Sequence, residues 1–319
     1  MNLRDNPFFA QLDGCERILL AGMGGGFDLY CGLPLYFALR GEPGREVHLA
    51  NLTFANTRRL GPRLSEVSVE VNADSGPPDS YFPERHFCAF MRERYGEEVG
   101  VVCVERGGEV QVREAYRRLA ERLELDAIVL VDGGTDSLMR GDEAGLGTPH
   151  EDALSLVAVA SEEVGVEVKL MASLGFGIDA FHGVCHAHML ENVAALMQEG
   201  AFLGTVALLP QMEEARRYME AVDYANACTP NHESIVNNSI VSALEGAYGD
   251  VHRTRRTEGG ELWINPLMLL YWTFQLKPVA ERLLYADVIR GTTSFNELIV
   301  RLEAYEAVRP RRDRVAIPV

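Results

Sequence analysis

The stretch Arg17-Ile-Leu-Leu-Ala-Gly22-Met-Gly24-Gly25-Gly26-Phe-Asp28 decides the fold. Its first residues form an apolar run of the length of one buried strand, and the glycines that follow let the chain turn sharply out of it. A helical pattern occupies 28–40. The same order returns twice. AIVLV (127–131) runs into Asp132-Gly133-Gly134-Thr135-Asp136, and VEVKLM (166–171) leads to Gly175-Phe-Gly177-Ile-Asp179.

Outward from these loops, apolar runs at 47–52, 67–71, 101–104 and 203–209 read as further strands, covered on both faces. Helical patterns lie between them at 109–124, 149–164 and 188–199; the first carries Val112, Ala115, Tyr116 and Leu119 on one stripe. This alternation predicts an α/β fold, doubly wound, with a mostly parallel sheet and Rossmann-like topology. Beyond residue 210 the pattern changes. Helices are expected over 212–227, 233–248 and 294–307, with a short hairpin over 251–264 turning at Gly259-Gly260. The run LMLLYWTF (267–274) reads as core aromatics. One α/β module over 1–319 is expected, with a sheet core over 1–210 and a mainly helical part over 211–319.

Composition narrows the function. The chain has 319 residues, 47% hydrophobic and 24% charged, which excludes a mainly disordered protein. Lys and Arg number 30 against 47 Asp and Glu, a formal charge of −17. So negative a surface repels phosphate backbones and anionic lipid, so neither nucleic acid nor membrane is an expected partner. Six cysteines without a CxxC pair read as reduced thiols, and the polar start 1–13 lacks the apolar stretch of a signal peptide. No apolar window is long enough to span a bilayer, and a cytoplasmic location is expected. Residues 75–83 read as a Pro-rich flexible loop, and the basic run 309–314 as a solvated terminus.

In a parallel sheet the three glycine-and-aspartate loops share the edge beyond the strands' carboxyl ends, where open α/β sheets bind ligands. The expected ligand-binding set is Gly24, Gly25, Gly26, Asp28, Gly133, Gly134, Thr135, Gly177 and Asp179. Arg140 is added as an anion clamp, and Asn231 from the polar stretch 229–234. The competing reading makes Asp28 and Asp179 helix N-caps and the glycines turn residues. Asp132 and Asp136 are the expected catalytic acids and Mg²⁺ ligands, since clustered carboxylates suit a hard cation or acid–base work. His186, from the run His182-Gly-Val-Cys185-His186-Ala-His188, is the expected catalytic imidazole. Thr148-Pro149-His150-Glu151 reads as a capping box, which takes Glu151 and Asp152 out of the site.

Several chemistries are disfavoured. Phe27 stands at the third glycine position of a dinucleotide fingerprint, and the second strand ends at Asn51 rather than an acid, so NAD is not expected. GxxxxGK[ST] and GxSxG are absent. HExxH is also absent, and zinc is not expected.

The loop Gly22–Asp28, the Asp132–Asp136 loop with its downstream Gly147-Thr148-Pro149, Ser234-Ile-Val-Asn237 and Asn265-Pro-Leu-Met-Leu-Leu-Tyr-Trp272 together resemble the domain-of-unknown-function family 1152. The likeness runs from about Cys15 to Glu306. It implies a bacterial or archaeal α/β protein with glycine-rich loops and one continuous module. A fainter similarity links Asp132-Gly-Gly-Thr-Asp136 to the DGGxE-type loop of the D-glutamate cyclase family, where Asp136 replaces a Glu.

The expected function is an enzyme of the hydrolase or transferase type. Its ligand is small and anionic, phosphorylated or nucleotide-like, and is handled by clustered aspartates with or without Mg²⁺. The alternatives are a lyase or cyclase acting on a small carboxylate, and a non-catalytic nucleotide sensor. Homo-oligomerisation stays open.

Overall fold

A computed structural model describes residues 4–77 and 80–317. Its strands are β1 (Arg17–Gly22), β2 (Glu46–Thr53), β3 (Arg63–Ser65), β4 (Ser68–Val71), β5 (Val101–Glu105), β6 (Ala127–Gly133), β7 (Val168–Leu174), β8 (Phe202–Ala207) and β9 (Leu270–Gln275). The helices are α1 (Pro7–Gln11), α2 (Asp28–Cys31), α3 (Leu33–Arg40), α4 (Pro83–Tyr95), α5 (Glu109–Leu123), α6 (Asp152–Ala160), α7 (His186–Gln198), α8 (Glu213–Cys228), α9 (Ile235–Leu244), α10 (Leu276–Arg282), α11 (Ala286–Ile289) and α12 (Phe295–Val308).

All nine strands join one sheet in the order β3-β4-β5-β2-β1-β6-β7-β9-β8. The five central strands, β5 to β7 in that order, are parallel. The chain builds outward from β1 to β2 and β5, then returns to lay β6 on the other side of β1. The order therefore reverses between β1 and β6, where Gly22 pairs with Val131 and both strands open into glycine loops.

Alternation along the strands feeds two cores, one on each face of the sheet. Ile18, Leu20, Val129 and Val131 face a core shared with Tyr30, Phe87 and Tyr218 of α2, α4 and α8. Leu19, Ala21, Ile128 and Leu130 face the other, shared with Tyr116, Leu154 and Leu298 of α5, α6 and α12. Helices thus cover both faces, which explains why the middles of β1 and β6 are apolar on consecutive residues rather than alternating. No helix among the described residues is long and apolar enough to cross a membrane.

The structure corrects several expectations. The run 267–274 does supply core aromatics, Tyr271 and Phe274, but it also forms most of β9, an unexpected antiparallel strand inserted between β7 and β8. Apolar except at Thr273, the run carries neither helical nor strand periodicity, which hid the strand, and the sheet extends into the part expected to be helical. β8 is an edge strand with one half-exposed face, not a strand covered on both sides. β4 is antiparallel to β5. The hairpin over 251–264 does not form. A single bridge joins Gly249 to Ile264, and the Thr254 hydroxyl accepts from the Arg256 amide to close a 3₁₀ turn where a strand was expected. The helix over 28–40 is two helices, separated at Gly32 before Pro34. Pro78 and Asp79 of the Pro-rich loop lie outside the described residues.

The basic run 309–314 is exposed at most positions, as expected, but it is tied down rather than free. The Arg309 side chain is only 2% exposed and donates to the Glu143 carbonyl at 2.7 Å. Arg312 pairs with Asp142 and Glu191, and Arg314 donates to the Gly183 carbonyl at 2.9 Å. The run forms a strap against the loop 140–148, held by carbonyls and, at Arg312, by acids far away in sequence.

Candidate functional site

The loops after β1, β6 and β7 and the start of α6 enclose a cavity of about 350 Å³ at the carboxyl end of the sheet. Its walls carry Asp28, Asp132, Asp136, Glu151, Asp152 and Asp179, with Arg256, His182, Phe54, Tyr81 and Phe181 around them.

Each aspartate is held by its own local geometry. Asp28, the first residue of α2, folds back so that its Oδ2 accepts the Gly24 amide at 2.7 Å. Asp132, near the end of β6, accepts from the Ser137 hydroxyl. Asp136 accepts both the amide (2.7 Å) and the hydroxyl (2.8 Å) of Thr148. Asp179 accepts the Thr135 amide at 2.6 Å. Asp152 opens α6, and its Oδ2 lies 3.1 Å from the Thr148 hydroxyl. Its Oδ1 is buried with no hydrogen-bond partner, and the residue is 3% exposed.

The glycines make this crowding possible. A Cβ on Gly24 would collide with Asp152 Oδ1 and would lie 2.6 Å from Asp28 Oδ2. On Gly133 it would lie 2.8 Å from Asp28 Oδ1, and on Gly134, at φ +151°, 2.5 Å from Asp179 Oδ2. On Gly147, at φ +69°, it would collide with Asp136. These glycines let carboxylates press against the backbone. The amides of Gly24, Gly26 and Thr135 already donate to Asp28, the Leu52 carbonyl and Asp179, so they do not form the anion cradle expected of a glycine loop.

Behind the loop, Asn51 stands where an NAD site would place an acid. Its Nδ2 donates to the Gly26 carbonyl (2.8 Å) and to Glu84 (2.7 Å), and its Oδ1 accepts the Leu29 amide (3.2 Å). From α9, Asn237 donates to the Phe27 carbonyl at 3.1 Å, while Ser234 caps the helix and lines the cavity.

The electrostatics follow from density. Burial, opposed by the Gly24 amide and reinforced by Asp136, pushes Asp28 up to about 7. Burial and then the charge of Asp136 hold Asp132, Asp152 and Asp179 well above the usual carboxylate range. Like charges packed this closely do not all ionise unless a cation joins them. Oxygens of Asp28, Asp132 and Asp152 all lie within 4.8 Å of one another, a spacing that one metal ion can span.

Most of the expected residues meet here. Gly24, Gly25, Gly26, Asp28, Asp132, Gly133, Asp136 and Asp179 line the cavity, and Thr135 and Gly134 support Asp179 from behind. Asp28 and Asp179 are not mere caps: neither occupies an N-cap position, and both face the other acids. His186 does not join them. It stacks on Phe176 and Trp263, with ring centroids 5.4 and 5.5 Å away, in an adjoining cavity that also includes Gly177. Arg140 turns to Asp142 at 3.6 Å, so it does not clamp a ligand in the acidic cavity. Asn231 is an exposed turn residue at φ +73°.

Asp152, Thr148 and Glu151 are the residues that the capping-box reading removed. α6 begins at Asp152, because the Thr148 hydroxyl is drawn to Asp136 instead of capping the helix. The signal available in the sequence was Gly147, placed directly before Thr148.

The fold and site belong to an α/β protein with an acidic cavity at the strand-order reversal. The family described as "Protein of unknown function (DUF1152)" matches residues 53–306, and the chain belongs to it. No curated protein matches the chain. The likeness to D-glutamate cyclase rests on the loop Asp132–Asp136 alone.

Proposed function

We propose that this protein is a hydrolase or transferase that uses a divalent cation, Mg²⁺ or Mn²⁺, to act on a small phosphorylated or nucleotide-like ligand. Asp28, Asp132 and Asp152 would hold the cation, and Asp136 and Asp179 would orient the amides and hydroxyls around it. Asp136 thereby moves from ligand to positioning residue. The observation that carries the reading is Asp152 Oδ1, buried and unpartnered beside two further carboxylates. Leaving such an oxygen unmatched is costly, and a hard cation satisfies it. A phosphate cannot enter a cavity walled by six carboxylates unaided. A cation on the triad gives it an attachment and polarises its oxygens.

The test is calorimetric titration with Mn²⁺ and Mg²⁺, followed by a screen of phosphomonoesters and nucleotides with and without chelator. Binding that disappears in Asp152→Asn and Asp132→Asn supports the proposal. Absence of cation binding at millimolar concentration rejects it.

One observation favours a second reading, a metal-independent lyase or cyclase on a small carboxylate. The Thr148 hydroxyl lies within hydrogen-bond distance of both Asp136 and Asp152, yet it has one proton to give. A proton shared by that carboxyl pair would serve acid–base chemistry. Activity that survives chelation but not Asp136→Asn would select this reading.

A further inference from the structure

A second cavity, of about 370 Å³, adjoins the acidic one and is walled by Trp263, His186, Phe181 and Arg314. We infer that it is a stacking site for the planar heterocycle of a nucleoside. The ligand of the acidic site is then a nucleotide rather than a sugar phosphate. The inference rests on the phosphoryl reading for its placement of the phosphate end, but the ring site stands on its own geometry.

The 3₁₀ segment Ile178–His182 is the partition between the two cavities. Asp179 faces the acidic side, Ile178 and Ala180 face the other, and Phe181 lines both. A ligand with a charged end and a flat end can therefore bridge them across one side chain.

The lining suits a flat ring. Trp263 and His186 lie at 35° with centroids 5.5 Å apart, and Phe176 backs both from 6.4 and 5.4 Å. Phe181 is 64% exposed and Trp263 38% exposed, although each lies beside aromatic neighbours that could have covered it. Gly177, at φ +95°, keeps the floor low: a Cβ there would rest 3.4 Å from His186 and 3.5 Å from Trp263. Burial and the charge of Arg314 lower the His186 pKa, so the imidazole is neutral and offers one donor and one acceptor. Arg314 is fixed by donation to the Gly183 and Val184 carbonyls and keeps further N–H groups for ring oxygens or nitrogens. Aromatic faces with one guanidinium recognise a base by stacking, whatever its sequence identity.

Three probes test it, each in saturating Mg²⁺: adenosine 5′-monophosphate, ribose 5-phosphate and adenosine. The protein has two tryptophans, so Trp272→Phe makes Trp263 the sole tryptophan, read by excitation that spares the tyrosines, and calorimetry on the unmodified protein gives the same affinities independently. Stacking of this kind is worth about tenfold to a hundredfold in affinity. The expected result is that the monophosphate binds tighter than ribose 5-phosphate by that factor and quenches Trp263. The ratio of the two affinities should fall to one in Phe181→Ala and Trp263→Ala, and in Trp263→Ala, whose side chain lines only the second cavity, ribose 5-phosphate binding should be unchanged. Phe181 is exposed, so its variant keeps the test valid if Trp263→Ala fails to fold.

Equal affinity of the two phosphates for the wild type, or an advantage that survives both substitutions, overturns the inference. If neither phosphate binds but adenosine quenches Trp263, the phosphoryl reading falls and the ring site stands. If adenosine and the monophosphate both leave Trp263 unquenched, the ring site is rejected.

Discussion

Gly24 and Asp152 are fitted to each other: the missing side chain of Gly24 is the space that Asp152 Oδ1 occupies. A glycine after the first strand and an acid opening a distant helix thus form one unit. Gly24→Ala is expected to force Asp152 and Asp28 apart and to lower stability by about 1–3 kcal/mol. Urea denaturation measures this, and Mn²⁺ titration should show cation affinity falling with it. Unchanged stability and affinity would show that the loop has room to spare.

Asp152→Asn should act in the opposite direction on the cation-free protein. It keeps the shape and removes one of several buried like charges, so stability without divalent metal should rise by about 1–2 kcal/mol. Thermal unfolding with and without Mn²⁺ reads both halves: a higher melting temperature in chelator, and loss of the metal-induced increase. A variant less stable than wild type in chelator would show that Asp152 is already compensated.

Glu84 gives a pH dependence away from the cluster. It is fully buried on α4, with Oε1 held by Asn51 and Oε2 unpartnered, and burial raises it from 4.5 to about 7. A carboxyl raised in the folded state gives stability that is full below the unfolded value and is lost as pH rises through the folded one. Relative to Glu84→Gln, the wild type should therefore lose on the order of 3 kcal/mol between pH 4.5 and just above pH 7. Paired denaturation curves across that window check it, and parallel curves for the two proteins would refute it.

Arg309 anchors the strap. Arg309→Ala removes a buried guanidinium that donates to the Glu143 carbonyl and reaches the Gly141 carbonyl. A loss of about 2 kcal/mol is expected. Hydrogen exchange should speed up in 140–148, the loop whose Thr148 holds Asp136. Faster exchange confined to the chain terminus would contradict this.

Features that depend on local rules were legible in the sequence. A strand, a glycine turn and an acid, repeated three times, placed Asp28, Asp136 and Asp179 on one edge, because parallel strands leave no other place for such loops. Three features were illegible, each because a distant partner outweighed a local pattern. Thr148 matched an N-cap by spacing, but Asp136 takes its hydroxyl. The residues of β9 had no period to read, because the strand lies between two others. Arg309 and Arg312 looked like a solvated charge run, since Asp142, Glu143 and Glu191 lie more than a hundred positions upstream.

The cavity's acids come from segments that meet only when β1, β6 and β7 lie side by side with α6 against them. In the unfolded chain water surrounds each of them, and Asp28, the Asp132–Asp136 loop, Glu151–Asp152 and Asp179 are separated along the sequence. Folding thus concentrates negative charge in one place, and protons or a cation must be taken up from the solvent along with it. Renaturation of this chain is accordingly a reaction whose stoichiometry includes solutes, and the buffer in which it is performed is one of its reactants.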